Sequence, residues 1–386
     1  MVLPNRFLNA YTVGCLLFSV FWLIACKYPG RSTISVGFEN NKARPKPSNP
    51  QQKQRYENYH RRITITDVQC KKGSKWDSFR VCDGLPYNKI VCRKASKRDD
   101  KESTYVVPNV VHYVWFGKRE MVYYHYLSVR SVAANQQPEK IIFYINEGPP
   151  QGHLWKRLVD EIPCLETQYM EMPETVFGHK MEWILHKTDV ARNNILIKQG
   201  GIYLDSDVLV LRSLDPLRRY PFTMGRSTAT TLSNGAMLSK PNSIFLQDVI
   251  DSYKGLTQEM IKHHKTIISV QRPLQQWKTR PDLPIHVELT TMQRPNPWYD
   301  GRDCISYDSF NISDNYMLHI HPVKSAIKNP EIVNETVATL RTTDTTYGAA
   351  ARAALFGFQD LVFLKNETKT AKNRRPAKPI PPIVDI

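Results

Sequence analysis

The stretch Thr188-Asp189-Val190-Ala191-Arg192, followed by Gly200-Gly201-Ile202-Tyr203-Leu204-Asp205-Ser206-Asp207-Val208, constrains the fold more than any other part of the chain. Apolar residues at helical spacing predict a helix from Met181 to Gln199, stopped by Gly200, a residue suited to the position just past a helix end. Gly201 to Leu204 and Val208 to Leu211 then read as short buried strands around a turn that carries Asp205 and Asp207. Two carboxylates one residue apart at the carboxyl end of a strand can hold a hard divalent cation, Mn²⁺ or Mg²⁺, against a phosphate.

The segments before this stretch supply the rest of an α/β pattern. Val107 to Gly117 is a β-branched and aromatic run closed by glycine, hence a strand. Tyr124 to Asn135 reads as a helix, and Lys140 to Ile145 as a second strand ending before Gly148-Pro149-Pro150. Strand, helix, strand at this spacing is a βαβ unit and predicts a parallel sheet. A globular domain over residues 106–364 follows, with a basic, proline-rich tail over 365–386.

The formal charge of +17 first suggests a nucleic-acid partner. Its distribution argues against one. Residues 106–364 hold 27 Lys/Arg against 26 Asp/Glu, whereas residues 42–105 hold 17 against 7. The basic charge therefore belongs to flanking segments, and no nucleic-acid role is expected.

Leu8 to Cys26 is an uncharged apolar run of 19 residues, long enough to span a hydrocarbon core of about 30 Å. It predicts a membrane anchor over 8–26 behind a short tail, 1–7, with the bulk of the chain on the far side. A cleaved signal peptide is the rival, although typical apolar regions of that kind are shorter. Residues 27–105 read as a basic, proline-containing stem with a cysteine-bearing extension. In an oxidising lumen the cluster Cys70/Cys82/Cys92 is expected to form a disulfide. Cys164 and Cys304 lie further on, and no C-x-x-C pair supports a zinc site. Asn311, Asn334 and Asn366 head acceptor triplets for N-glycans and agree with a lumenal domain.

Several further side chains have the right chemistry. Asp189 and Arg192 are i and i+3 on the expected helix, on or beside its apolar arc, where a charge must be paired or face a site. They read either as an internal salt bridge or as contacts to a sugar and its phosphate. Trp115 ends the first strand at the same sheet edge, where an indole can stack on a nucleobase or fill the core. His319 and His321 alternate in Tyr316-Met317-Leu318-His319-Ile320-His321-Pro322, which would turn both to one face of a strand to complete a metal shell. Asn234-Gly235-Ala236 reads as a turn that could touch a sugar.

The motifs at 111–117, 188–192 and 200–208 together resemble the DXD-containing sugar transferases of glycosyltransferase family 32. The D-x-x-R to D-x-D arrangement is also similar to that of the large glucosylating bacterial toxins. The resemblance covers roughly residues 107–325. It implies a GT-A fold, Rossmann-like, with a nucleotide-sugar donor, Mn²⁺ and retention of configuration. Trp115 would stack on the base, Asp189 and Arg192 would hold the donor sugar, and Asp205 and Asp207 would form the DXD, with Asp207 the direct metal ligand. The histidines are placed by analogy with a C-terminal metal ligand in related enzymes.

The leading expectation is therefore a Golgi-type, single-pass type II, metal-dependent glycosyltransferase with a lumenal domain. Its donor would be a UDP-sugar in preference to GDP-mannose, and its acceptor a glycan or glycolipid. The alternatives are a catalytically inactive binding protein on the same fold, and a matrix-interaction protein acting through residues 42–105.

Overall fold

The computed structural model describes residues 90–93, 104–294, 296, 312, 314–321, 336–340 and 346–356. The chain divides into two units, residues 1–61 and 62–386, and every described residue belongs to the second. The expected anchor over 8–26, most of the stem, the tail, Cys70, Cys82, Cys304 and the three glycan acceptor asparagines lie outside the described residues. Among the described residues no helix is long and apolar enough to cross a membrane.

Strands β1 (Val110–Trp115), β2 (Lys140–Ile145) and β3 (Leu165–Tyr169) are linked by helices α1 (Tyr123–Asn135) and α2 (His153–Glu161). A small hairpin, β4 (Thr175–Val176) and β5 (His179–Lys180), precedes helix α3 (Ile184–Gln199), which leads into β6 (Gly201–Leu204) and β7 (Val208–Val210). Strands β8 (Phe222–Thr228) and β9 (Thr231–Ser239) follow, then α4 (Ile244–Asp251), α5 (Gln258–His263), α6 (Arg272–Thr279) and β10 (His286–Glu288). The described part ends with β11 (Met317–His319), α7 (Val337–Leu340) and α8 (Thr346–Phe356).

Seven strands form one sheet in the order β10-β8-β9-β6-β1-β2-β3. The expected parallel pairing holds for β6, β1, β2 and β3. The sheet is mixed beyond that, because β9 runs antiparallel to both β6 and β8. Val111, Tyr113 and Trp115 pack on one face with residues of α1, α2 and α8. Val114 and Phe116 pack on the other with residues of α3, α4 and α6. That alternation is the period of two of an extended chain, and helices on both faces explain why β1 reads as a continuous apolar run.

The Gly200-Gly201 pair is required on two counts. Both have positive φ, +66° and +102°. A Cβ on Gly200 would lie 2.6 Å from the Pro241 ring, and one on Gly201 would lie 2.5 Å from His112 Nε2. This turn aligns α3 antiparallel to β6, which brings the first half of α3 to the strand's carboxyl end. Helix α3 starts three residues later than the periodicity predicts, and Ile184 and Leu185, the apolar residues of its first turn, are exposed.

Cys92 is bonded to Cys164, 72 residues away, rather than within the cluster expected from the sequence. The bridge ties the entering chain to the loop between α2 and β3. Linear proximity predicts such pairings poorly, because folding brings distant cysteines together. Helix α8, alanine-rich and packed on α1, was not anticipated; small side chains give no strong apolar period, yet they let the helices approach closely.

Candidate active site

The carboxyl end of β6 is pinned on both sides by backbone. Asp205 N–H donates to Gly235 O at 2.7 Å, continuing the β6–β9 ladder, and Ile320 N–H donates to Asp207 O at 3.0 Å, fastening the turn to the chain after β11. The two aspartates consequently face different partners.

Asp205 joins a buried ionic web. Its Oδ1 lies 3.0 Å from Arg192 Nη1 and accepts the Tyr203 hydroxyl at 2.8 Å. Arg192 Nη1 also donates to Asn234 O at 2.9 Å, and Arg192 Nη2 lies 3.4 Å from Asp189 Oδ1. The Asn234 amide donates to the same Asp189 oxygen at 2.8 Å. The Arg192 guanidinium lies 4.4 Å from the Tyr203 ring centre, a cation–π contact. Burial works against the Arg192 charge, but Asp205, Tyr203 and Asp189 outweigh it and hold its pKa above the ordinary value. Burial pushes the Asp189 carboxyl up to about 6, against the pull of Arg192 and the Asn234 hydrogen bond. Asp189 Oδ2 is buried without a hydrogen-bond partner among the described residues. Such an oxygen is costly unless a ligand hydroxyl or water reaches it.

Asp207 turns toward the histidines. Its Oδ1 is 3.1 Å from His319 Nε2, and the His319 and His321 rings stack at 3.6 Å. One donor atom from each of Asp207, His319 and His321 lies within 4.8 Å of the others. Burial would raise the Asp207 pKa, but His319, His321 and His125 hold it well below the usual carboxylate range. A carboxylate and two imidazoles converging in this way fit a divalent cation such as Mn²⁺. Asp205 Oδ2 stands at the margin, 4.0 Å from His319 Nε2.

The two histidines meet by a route the sequence did not suggest. Strand β11 ends at His319, and His321 has φ +47°. The chain therefore turns back rather than alternating. Asn234-Gly235-Ala236 is strand, not turn: it lies within β9, opposite the end of β6. A Cβ on Gly235 would lie 2.4 Å from His319 Cε1 and 2.8 Å from Asp205 Oδ2, so the bare backbone there is what lets both side chains in.

Trp115 is fully buried. His125 packs edge-on at 4.9 Å and the Arg119 guanidinium covers the ring at 4.0 Å. A nucleobase could stack on it only if Arg119 moved aside. Residues not anticipated are Tyr203, His125, Arg119 and Gln293, whose Oε1 lies 3.0 Å from His319 Nδ1. Tyr203 had a signal, since it sits two residues before Asp205 on the strand and so shares its face.

A largely buried Asp–Arg–Asp web thus lies beside an Asp–His–His cluster able to hold a cation, at the carboxyl edge of the sheet, where open α/β sheets bind ligands. Residues 124–223 match the family described as the glycosyltransferase sugar-binding region containing DXD motif. The chain is 31% identical over 207 residues to Glucan organizing enzyme 1 of Cryptococcus neoformans var. grubii, covering 49% of this chain and 54% of that protein. It is 26% identical over 165 residues to Inositol phosphoceramide mannosyltransferase 3 of Schizosaccharomyces pombe, covering 42% and 41%. The chain spans about half the length of the curated relatives it matches. A solved structure, PaToxG glycosyltransferase, aligns at 13% identity over 47% of this chain and 76% of that one, with a TM-score of 0.34. The matched family is described by a glycosyltransferase sugar-binding region, and the second of these relatives is named as a mannosyltransferase.

Proposed function

We propose that this chain is a metal-dependent, retaining glycosyltransferase of GT-A type. It would transfer a sugar from a nucleotide-sugar to a glycan or glycolipid, from a lumenal domain carried behind a Golgi membrane anchor. One observation carries the reading: the Asp189–Arg192–Asn234–Asp205 web lies beside the Asp207–His319–His321 cluster, joined through Asp205.

In this reading Asp189 Oδ2, buried and without a partner among the described residues, accepts a hydroxyl of the donor sugar. Arg192 already donates to Thr188, Asn234 and Asp205, so it acts mainly by fixing Asp189 and Asp205 in place. Asp207, His319 and His321 would hold the cation. When bound, a hard divalent cation supplies positive charge to the departing diphosphate. The relative named for mannosyl transfer to inositol phosphoceramide brings GDP-mannose and a glycolipid acceptor forward, beside the UDP-sugars favoured from the sequence.

A thermal-shift screen of the full chain against GDP-mannose and UDP-sugars, with and without Mn²⁺, tests this reading. A ligand at 100 times its Kd stabilises by about 2.7 kcal/mol. Manganese-dependent stabilisation by one nucleotide-sugar is expected, and its absence for all of them would contradict the reading. Binding without turnover on any acceptor would favour an inactive binding protein on the same fold.

A further inference from the structure

His319 is almost completely buried, and its two ring nitrogens face different partners. Nε2 lies 3.1 Å from Asp207 Oδ1. Nδ1 lies 3.0 Å from Oε1 of Gln293. An amide oxygen can only accept, so Nδ1 carries the hydrogen, and Nε2 is the nitrogen left to face the cation position.

Gln293 is itself fully buried. Its Nε2 has no hydrogen-bond partner among the described residues, so the bond to His319 is what its polar end makes there. A glutamine that served only to knit the core would be expected to use both ends of its amide. The loop that carries it is tied to the strand that carries His319. Tyr316 N–H donates to Thr291 O at 2.8 Å, and the Asn315 amide donates to Arg294 O. Room for the side chain comes from Gly225, at an irregularity in the β8–β9 pairing. A Cβ there would lie 2.5 Å from Gln293 Cγ and 2.8 Å from Met292 Cβ.

We infer that Gln293 is a positioning residue that fixes the tautomer and ring orientation of His319 for the cation; the inference rests on the metal reading of Asp207, His319 and His321 given above. A partner on the second ring nitrogen of a metal-bound histidine commonly accounts for 10–100-fold in metal affinity. Neither the D-x-D motif nor the matched segment, residues 124–223, includes Gln293.

The test is Mn²⁺ affinity of the full chain, read by electron paramagnetic resonance of the free ion, with the urea midpoint of the metal-free protein measured alongside. Gln293→Met keeps the size but removes the acceptor, and should weaken Mn²⁺ binding by about 10–100-fold. Gln293→Glu keeps an acceptor in place and should stay near wild type. Gly225→Ala, which pushes on Gln293 and removes no ligand, should show the same loss as Gln293→Met and serves if that variant does not fold. Wild-type affinity in Gln293→Met, or an equal loss in Gln293→Glu, would overturn the inference and leave the metal site standing. Absence of saturable Mn²⁺ binding in the wild type would overturn the metal reading itself, and the inference with it.

Discussion

Arg192 Nη1 lies 3.0 Å from Asp205 Oδ1, so the cation of the D-x-x-R segment is locked onto the first carboxylate of the D-x-D turn. Two motifs on different elements therefore form one electrostatic unit. Removing Arg192 would leave Asp189 buried with its charge uncompensated. Breaking a buried ion pair in this way costs about 3–5 kcal/mol. Arg192→Met should lower stability by that order in urea unfolding. Asp189→Asn in the same background should recover part of the loss, because the two sites are coupled. Additive losses would show that the web is not a unit.

Gly235→Ala should impair cation binding without removing a ligand. The added methyl would overlap His319 Cε1 and Asp205 Oδ2, at 2.4 and 2.8 Å. A fall of about tenfold or more in Mn²⁺ affinity is expected, of the size seen when groups around ligands are disturbed. Circular dichroism should show the fold retained. Unchanged Mn²⁺ affinity would mean that the strand gives way.

His112 makes stability pH-dependent. Its Nε2–H donates to Gly200 O at 2.9 Å, and Nδ1 accepts from the Tyr144 hydroxyl at 3.2 Å, so the buried ring is satisfied as a neutral imidazole. Burial pushes its pKa down to about 4 from 6.5, against the Gly200 hydrogen bond. Below pH 6.5 the unfolded chain takes up a proton that the folded chain refuses. Stability is therefore complete above that pH and falls as the pH drops toward 4, by up to roughly 3 kcal/mol. His125, pushed down to about 3 mainly by burial, acts in the same direction, and Asp189, pushed up, acts in the opposite one. The comparison that isolates His112 is His112→Gln against wild type in urea unfolding at pH 7.5 and 5. The variant should lose less stability over that interval, and equal losses would contradict the assignment.

The Cys92–Cys164 bridge closes a separation of 72 residues. Chain-entropy arguments give such a loop roughly 4 kcal/mol of stabilisation. Reducing agent, or Cys164→Ser, should lower the melting temperature by several degrees, and an unchanged Tm would show that the bridge contributes little.

The helix–glycine–strand core of the site was legible because its signals are local. Gly200 and Gly201 are dictated by φ and space, the strand by its apolar run, and Asp189 and Arg192 by the cost of burying a charge on a helix face. Other parts were not legible because they depend on long-range packing. Gln293 meets His319 across 26 residues and a loop. His321 reaches His319 through a positive-φ residue rather than strand alternation. Asn234 read as a turn because Asn-Gly favours turns, yet β9 absorbs it, since Gly235 is needed beside His319 and Asp205. Trp115 had the right position along its strand, but which face it occupied and what covered it depended on α1 and the loop carrying Arg119.

The most direct test of the central claim is release of nucleoside diphosphate from the preferred donor by the full chain, in Mn²⁺ or in EDTA, for wild type and Asp207→Asn. The substitution preserves shape while removing the carboxylate that His319 and His321 face. Metal-dependent turnover in the wild type, with a loss of about 100-fold or more in a folded Asp207→Asn, is the predicted result, in line with removal of one group that stabilises developing charge. Turnover unaffected by EDTA, or undiminished in Asp207→Asn, would contradict the account.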